Sequence, residues 1–290
     1  MGARARAVAN PSIPIGAEGP HGVIRLKWHK ARTNLSQAPF RLSNLVLGWE
    51  LGASLEIDII ATADGRFIVA HDATLGPSTT GRGRVASLPY SAIAGALNRD
   101  ADGVPDPDAP VLLLSEFVAP LRAMVPGHGA NLQLDLKAST GHPLTQAAVR
   151  DAARAVTGLE QSIVVSSYNL HEARQVAAAI RAGRLGYDPM QAVARNPALS
   201  REPERLIRHL ERRRAGMAIA YLNFGLVAFI ESRGVRLVQR LLDLGIETDV
   251  WTVNTASRVA DNILRILIES GVRQITTDEP AEIARRIARL

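Results

Sequence analysis

The sequence predicts an α/β fold of the (β/α)8 TIM-barrel class, one domain over residues 22–290 behind a short irregular extension, residues 1–21. Three observations predict it. Short apolar runs alternate with helix-like stretches about eight times; the alternating region, roughly 260 residues, suits a barrel of about 250; and no glycine-rich turn follows the first run. A doubly wound open sheet is the alternative that also alternates strand and helix, but it carries a GxGxxG turn after its first strand, and here Trp28 is followed by His-Lys-Ala-Arg-Thr.

The elements follow in order. Pro11, Pro14, Pro20, Gly16 and Gly19 make the extension irregular. Val23–Trp28 reads as a strand before a helix at Leu42–Leu51, and Leu55–Ile60 as a strand that turns at Asp64-Gly65 into a second run, Phe67–Ala70. Asn131–Lys137 then leads to a helix at Leu144–Val156, Ser162–Ser166 to His171–Ala182, and Arg184–Tyr187 to Glu204–Arg214. Met217–Leu222 leads to Leu226–Leu244, Glu247–Thr252 to Ala256–Ser270, and Gln274–Thr277 to Pro280–Leu290. Asn98–Pro110 and Tyr187–Pro203 read as long surface loops of the kind that cross a barrel mouth.

Composition narrows the chemistry. Of 290 residues 47% are hydrophobic and 21% charged, enough to bury a large core and too apolar for a disordered chain. There is no cysteine, so disulfides and thiolate zinc sites are excluded and any metal must sit on oxygen or imidazole. The net charge is +6, with a pI near 10.2, but the basic residues are scattered, their tightest cluster being Arg212-Arg213-Arg214, which implies a solvated surface rather than a nucleic-acid face. Gly216–Ile230 is the most membrane-like stretch; it falls short of the roughly 20 apolar residues of a span and holds Asn223, so no transmembrane segment is expected. Met1–Val8 is basic with no apolar run behind it, and the expectation is a cytoplasmic protein.

Charges stand where barrel strands should be dry. In Leu55-Glu56-Ile57-Asp58-Ile59 the period of two puts the aliphatics on one face and both carboxylates on the other, and a parallel barrel encloses both faces. Leu132-Gln133-Leu134-Asp135-Leu136-Lys137 repeats the pattern with a third carboxylate and a cation. Glu56, Asp58 and Asp135 can satisfy one oxygen-preferring divalent ion, Mg²⁺ or Ca²⁺, with Lys137 as a point charge for a phosphate oxygen. Of seven histidines, His29 and His71 stand where a strand-like run meets a loop, the position of catalytic groups in barrel enzymes. His21, His128, His142, His171 and His209 lie in helix-like or irregular stretches and read as surface or capping residues.

The stretch from Glu56-Ile-Asp58 through Asp64-Gly65 and His71-Asp72-Ala-Thr-Leu75 to Thr80-Gly81-Arg82-Gly83 resembles the glycerophosphodiester phosphodiesterases in motif and spacing. Leu134-Asp135-Leu136-Lys137, Trp251-Thr252-Val253-Asn254, and Gly271-Val272 with Ile275-Thr276-Thr277-Asp278-Glu279-Pro280 match further family motifs in order, so the likeness runs from about His29 to Pro280. The resemblance implies the same barrel and a metal-dependent phosphodiesterase cleaving a small glycerophosphodiester or lysophospholipid-like diester. It implies Glu56, Asp58 and Asp135 as metal ligands, His29 and His71 as the acid/base pair, and Lys137 at the phosphate. Trp251 and Asn254 would lie near the mouth, the indole against the alcohol; a core tryptophan and a helix-capping asparagine are the alternative for those two.

The chain also departs from the family. His29-Lys30-Ala31 stands for H-R-G, no E-N-T follows, and Asp135 replaces the usual glutamate, which resembles the related sphingomyelinase D type phospholipases. Lys30 keeps the positive charge of the missing arginine, with Arg32 as the other candidate, and both bear on substrate binding. Two other outcomes stay open: a phospholipase D-like lyase releasing a cyclic phosphate, and an inactive barrel that only binds.

Overall fold

The aliphatic runs become the staves of a closed barrel. A computed structural model describes residues 13–137, 144–255 and 259–290; Met1–Val8, His142 and the expected helix start at Ala256 lie outside the described residues. The parallel strands are β1 (Gly22–Trp28), β2 (Ser54–Ala61), β3 (Asn131–Leu136), β4 (Ile163–Ser167), β5 (Arg184–Tyr187), β6 (Ile219–Asn223), β7 (Glu247–Trp251) and β8 (Gln274–Thr277). They pair in chain order from β2 to β8, β8 pairs with β1, and β1 returns to β2, so no barrel edge is left open.

Alternation decides what each face does. Leu55, Ile57 and Ile59 of β2 and Leu132, Leu134 and Leu136 of β3 point outward and are buried against the surrounding helices, such as Gln146–Ala155 with Ala148, Ala152 and Ala155. Each such leucine or isoleucine contributes about 1.5–3 kcal/mol of transfer free energy, so the helix ring is held chiefly by this layer. The inner face mixes polar side chains with a small buried cluster of Val164, Ile219 and Tyr221, and the tyrosine ring crosses it: a Cβ on Gly186 of β5 would lie 2.2 Å from Tyr221 Cε2 of β6. Only glycine there leaves room for the ring.

Four segments differ from the expectations. Gly16–Gly19, expected to be irregular, is a strand antiparallel to β1, and covers the part of β1 that precedes its pairing with β2 at Lys27. Asn98–Pro110 is not a loop: Leu97–Arg99 pairs with Pro105–Pro110 around a turn in which Asp100 Oδ1 accepts from the N–H groups of Asp102 and Val104. The prolines are tolerated because this two-stranded sheet is all edge. Tyr187–Pro203 contains short helices at Met190–Arg195 and Ala198–Arg201, started by the side chains of Asp188 and Asn196. Leu226–Leu244 breaks into Phe224–Glu231 and Leu237–Asp243, because Gly234 and Arg236 take positive φ and the Glu231 carboxylate accepts the Val238 N–H at 2.8 Å.

His209 is a fifth correction: it is buried on the helix Pro203–Glu211 and lies 3.1 Å from Tyr187 Oη, where burial, and then Arg213 and Arg212, lower its pKa to about 4. His128 and His171 are exposed, and His21 Nε2 bonds the Glu269 carbonyl near a helix end, as expected. Gly216–Ile230 is divided between β6 and the helix after it, and no helix among the described residues is long and apolar enough to cross a membrane.

Candidate active site

Strand register brings the carboxylates together. Asp58 of β2 is level with Asp135 of β3, and Glu56 is level with Gln133, so two inward aspartates face one another with a glutamate one step below. Ligand oxygens of Glu56, Asp58 and Asp135 all lie within 4.8 Å of each other. Lys137, just past the end of β3, places Nζ 2.8 Å from Asp58 Oδ1 and also donates to Asp135 Oδ2. The contact with Asp58 is an ion pair without hydrogen-bond geometry; neither oxygen of this buried carboxylate accepts a hydrogen bond.

The charges sort themselves accordingly. Burial, and then Asp58 and Asp135, push the Glu56 carboxyl well above its ordinary pKa, against the opposing pull of Lys137 and the Lys30 N–H. Burial also works against the Asp58 anion, yet Lys137, Lys30, His71 and His29 together hold its pKa below the usual range. Burial lowers the Lys137 pKa, but Asp135, Asp58 and Glu56 outweigh it and hold the ammonium protonated. Three clustered carboxylates, one with two buried oxygens that accept no hydrogen bond, are a donor set suited to a hard divalent cation.

A chain of hydrogen bonds runs beneath this cluster. Lys27, 1% exposed, pairs with Asp249 Oδ2 at 2.5 Å, stacks its ammonium 4.3 Å from the centre of the Tyr221 ring, and donates to Gln133 Oε1. Because that oxygen accepts, Gln133 turns Nε2 to Ser166 Oγ at 2.8 Å, and Ser166 gives its one proton to Asp135 Oδ1 at 2.6 Å.

Each catalytic-candidate histidine is backed by an aspartate. His29 Nδ1 lies 3.0 Å from Asp278 Oδ1, while Asn254 Nδ2 donates to Asp278 Oδ2 at 2.6 Å and Asn254 Oδ1 accepts the Asp278 N–H at 2.9 Å. Burial would raise the Asp278 pKa, but the bond to His29 and the charges of His29 and Arg32 hold it down, so it is an acceptor only and Nδ1 carries the imidazole proton. Burial lowers the His29 pKa, with Asp278 opposing, so near neutrality the ring is neutral and Nε2 has a free lone pair. His71 Nδ1 lies 2.8 Å from Asp72 Oδ1, and Ser78 Oγ donates to Asp72 Oδ2 at 2.6 Å.

These groups converge on a cavity of about 260 Å³ at the C-terminal ends of the strands. His29, Lys30, Glu56, His71, Asp135, Lys137 and Trp251 line it, while Asp58 lies buried just behind. Asn254 does not reach the cavity: it is buried and clamps Asp278 behind His29. Arg32 also turns away, its Nη1 3.7 Å from Asp278 Oδ1, whereas Lys30 faces the cavity from a turn in which Lys30 and Ala31 both have positive φ and the Lys30 N–H donates to Glu56 Oε2 at 2.7 Å.

Sequence reasoning missed Asp188, which lines the cavity and whose carboxyl is raised to about 7 by burial, with Asp135 adding to it and the Met190 N–H and Lys137 opposing. It sits one residue past a strand, a position that marks it, but inside a segment expected to be loop. Asp278 and Asp72 stand within quoted motifs without a role, and Gln133 carries the same inward alternation as Asp135.

An eight-stranded parallel barrel with titratable groups converging at the C-terminal strand ends defines a barrel enzyme. The sequence profile of the glycerophosphoryl diester phosphodiesterase family matches residues 48–282, and the chain belongs to that family; it is a phosphoric diester hydrolase. No curated relative matches the chain significantly. Among solved structures, a protein of Silicibacter pomeroyi provisionally named a glycerophosphoryl diester phosphodiesterase is 20% identical over 94% of this chain and 95% of its own, with a TM-score of 0.67. A phosphodiesterase of Oleispira antarctica in complex with its product sn-glycerol-3-phosphate is 18% identical over 91% of this chain and 96% of its own, at 0.63. A glycerophosphodiester phosphodiesterase of Parabacteroides distasonis is 19% identical over the same shares, also at 0.63. At these identities the likeness establishes the shared barrel.

Proposed function

We propose that the chain cleaves a small glycerophosphodiester to an alcohol and a glycerol phosphate, with Glu56, Asp58 and Asp135 holding one divalent ion, Mg²⁺ or Ca²⁺. The observation that carries this reading is the pair of inward aspartates at one register level, with Asp58 accepting no hydrogen bond, facing two aspartate-backed histidines across one cavity. The bound ion would supply positive charge against the phosphate oxygens. Every other step belongs to the chain. Lys137 and Lys30 offset the charge of the phosphate, and Lys30 rather than Arg32 stands in for the missing arginine because it lines the cavity.

His29 Nε2 takes the proton of the attacking hydroxyl, the developing imidazolium being stabilised by Asp278. His71, held through Nδ1 by Asp72, has Nε2 left to give a proton to the departing alcohol. Trp251 packs against the substrate's carbon skeleton. When the attacking hydroxyl belongs to the substrate, the same groups yield a cyclic phosphate; when it belongs to water, they yield the open monoester.

Alcohol release from glycerophosphodiesters, followed with and without chelator, tests the reading, with the phosphate product identified as cyclic or open. Activity indifferent to chelator, or no Mg²⁺ or Ca²⁺ binding by calorimetry, defeats the metal assignment. Lys30→Ala is expected to lower kcat/KM by about ten-fold or more, with Arg32→Ala milder.

A further inference from the structure

A second cavity of about 310 Å³ adjoins the first, and Lys30 and His71 line both. We infer that this side cavity receives the departing alcohol, and that it selects a neutral polyhydroxylated alcohol over a quaternary ammonium or an acyl chain. The inference rests on the catalytic reading of the main cavity and adds the chemical class of the group that leaves.

His71 lies between the two spaces. Its Nδ1 is committed to Asp72, so Nε2 is the atom that can protonate a leaving oxygen, and an alcohol leaving past His71 enters the side cavity. The far wall is the hairpin of Leu97–Arg99 and Pro105–Pro110, which the sequence alone reads as a loop. Its tip, Asp100 to Gly103, is fixed: Asp100 Oδ1 accepts two N–H groups, and Arg99 donates to the carbonyls of Thr79 and Gly103 at 3.0 and 2.7 Å. The wall is therefore preformed.

Its chemistry excludes two kinds of alcohol. Lys30, Arg32 and Arg99 outnumber the lining carboxylates Asp72 and Asp100, which are already engaged by His71, Ser78 and backbone N–H groups, so the cavity disfavours a quaternary ammonium; Phe40 is 1% exposed and offers no open ring face for such a cation. An acyl chain meets charged and hydrogen-bonding side chains on most sides. Hydroxyl groups, which both donate and accept, suit this mixture: Lys30 is a donor only and Asp100 brings acceptor oxygens to the same lining. A space of this size falls within the range of small-molecule sites.

The test compares kcat/KM for three diesters of glycerol phosphate, with glycerol, choline or methanol as the second alcohol. The glycerol diester is expected to exceed the choline diester by about ten-fold or more. Ala101 lines the side cavity at the hairpin tip; Ala101→Trp fills it, and is expected to reduce the glycerol-to-methyl ratio of kcat/KM by about ten-fold, with Ala101→Leu giving a smaller reduction and thermal melting reporting that both variants fold. A choline diester cleaved as well as the glycerol diester overturns the inference, as does a ratio that the folded variants leave unchanged. Cleavage of none of the three by wild type overturns the catalytic reading itself, and this one with it; cleavage without selectivity overturns this one alone.

Discussion

Ser166 Oγ donates to Asp135 Oδ1 at 2.6 Å, and the direction of that bond is forced from below by Lys27 and Gln133. The bond ties one oxygen of a proposed metal ligand to a neighbouring strand and leaves the other for Lys137 and a cation. Partners of this kind set ligand orientation, and losing one typically costs about 10–100-fold in metal affinity. Ser166→Ala is expected to weaken Mg²⁺ or Ca²⁺ binding in calorimetry by about ten-fold or more and, because the buried Gln133 Nε2 loses its acceptor, to lower metal-free stability by about 1–3 kcal/mol. Ser166→Thr keeps the hydroxyl and should restore part of the affinity. Equal affinity in Ser166→Ala and wild type would show that the bond does not orient Asp135.

How much of this was legible depended on which force set each feature. Glu56, Asp58 and Asp135 could be read because a strand's period of two is local, and because a parallel barrel leaves no wet face on which to place them. The hairpin behind Asn98–Pro110 was not legible: three prolines argue against a strand, and only tertiary position makes them harmless. Asn254 was read toward the mouth from its motif, but its amide is used on both sides by Asp278, a partner 24 residues away. Asp188 escaped for a related reason, since its raised pKa comes from burial and from Asp135 on another strand. Local pattern gave the proposed ligands, and long-range packing gave the residues that hold them.

The backing of His29 has a kinetic consequence. Asp278 fixes the proton on Nδ1 and raises the His29 pKa against burial, which lowers it. Asp278→Asn removes the charge, so two effects are expected together. The rate falls by about 10²–10⁴-fold, the usual contribution of a positioned base. The acidic limb of kcat/KM, which in the proposed mechanism reports His29 losing its proton, moves to lower pH because burial and Lys30 then lower the pKa against Asp58 alone. A rate loss with the acidic limb unmoved would mean that Asp278 does not act through His29.

Ala31 occupies the position of the glycine in the family's H-R-G, and its φ is +49°, after Lys30 at +54°. The left-handed region costs a residue with a Cβ about 1–2 kcal/mol, whereas glycine enters it freely but loses about 0.5–1 kcal/mol of extra chain entropy on folding. Ala31→Gly should therefore leave stability unchanged or raise it by up to about 1 kcal/mol in denaturant unfolding. A clear loss would indicate that the methyl group, buried in the core cluster, contributes more than the strained backbone costs.

The carboxylate cluster should make the metal-free protein less stable as pH rises. Burial and the charges of Asp58 and Asp135 raise the Glu56 pKa in the folded state, so the folded protein holds a proton that the unfolded chain has released. A raised folded pKa contributes stability that is fully present below the unfolded value and is lost as pH climbs toward the folded one. Asp188, raised to about 7, has the same sign up to neutrality. His209 has the opposite sign: its pKa of about 4 makes stability increase with pH, but only until pH passes the ordinary histidine value near 6.5. Glu56→Gln removes one contribution and leaves the others in place. In chelated samples, the melting temperature of wild type is expected to fall relative to Glu56→Gln as pH rises from about 5 to about 8. Saturating Mg²⁺ or Ca²⁺ should flatten the wild-type slope, because binding a cation requires the deprotonated carboxylate. Parallel pH profiles for the two chelated proteins would mean that Glu56 does not hold its proton in the folded state.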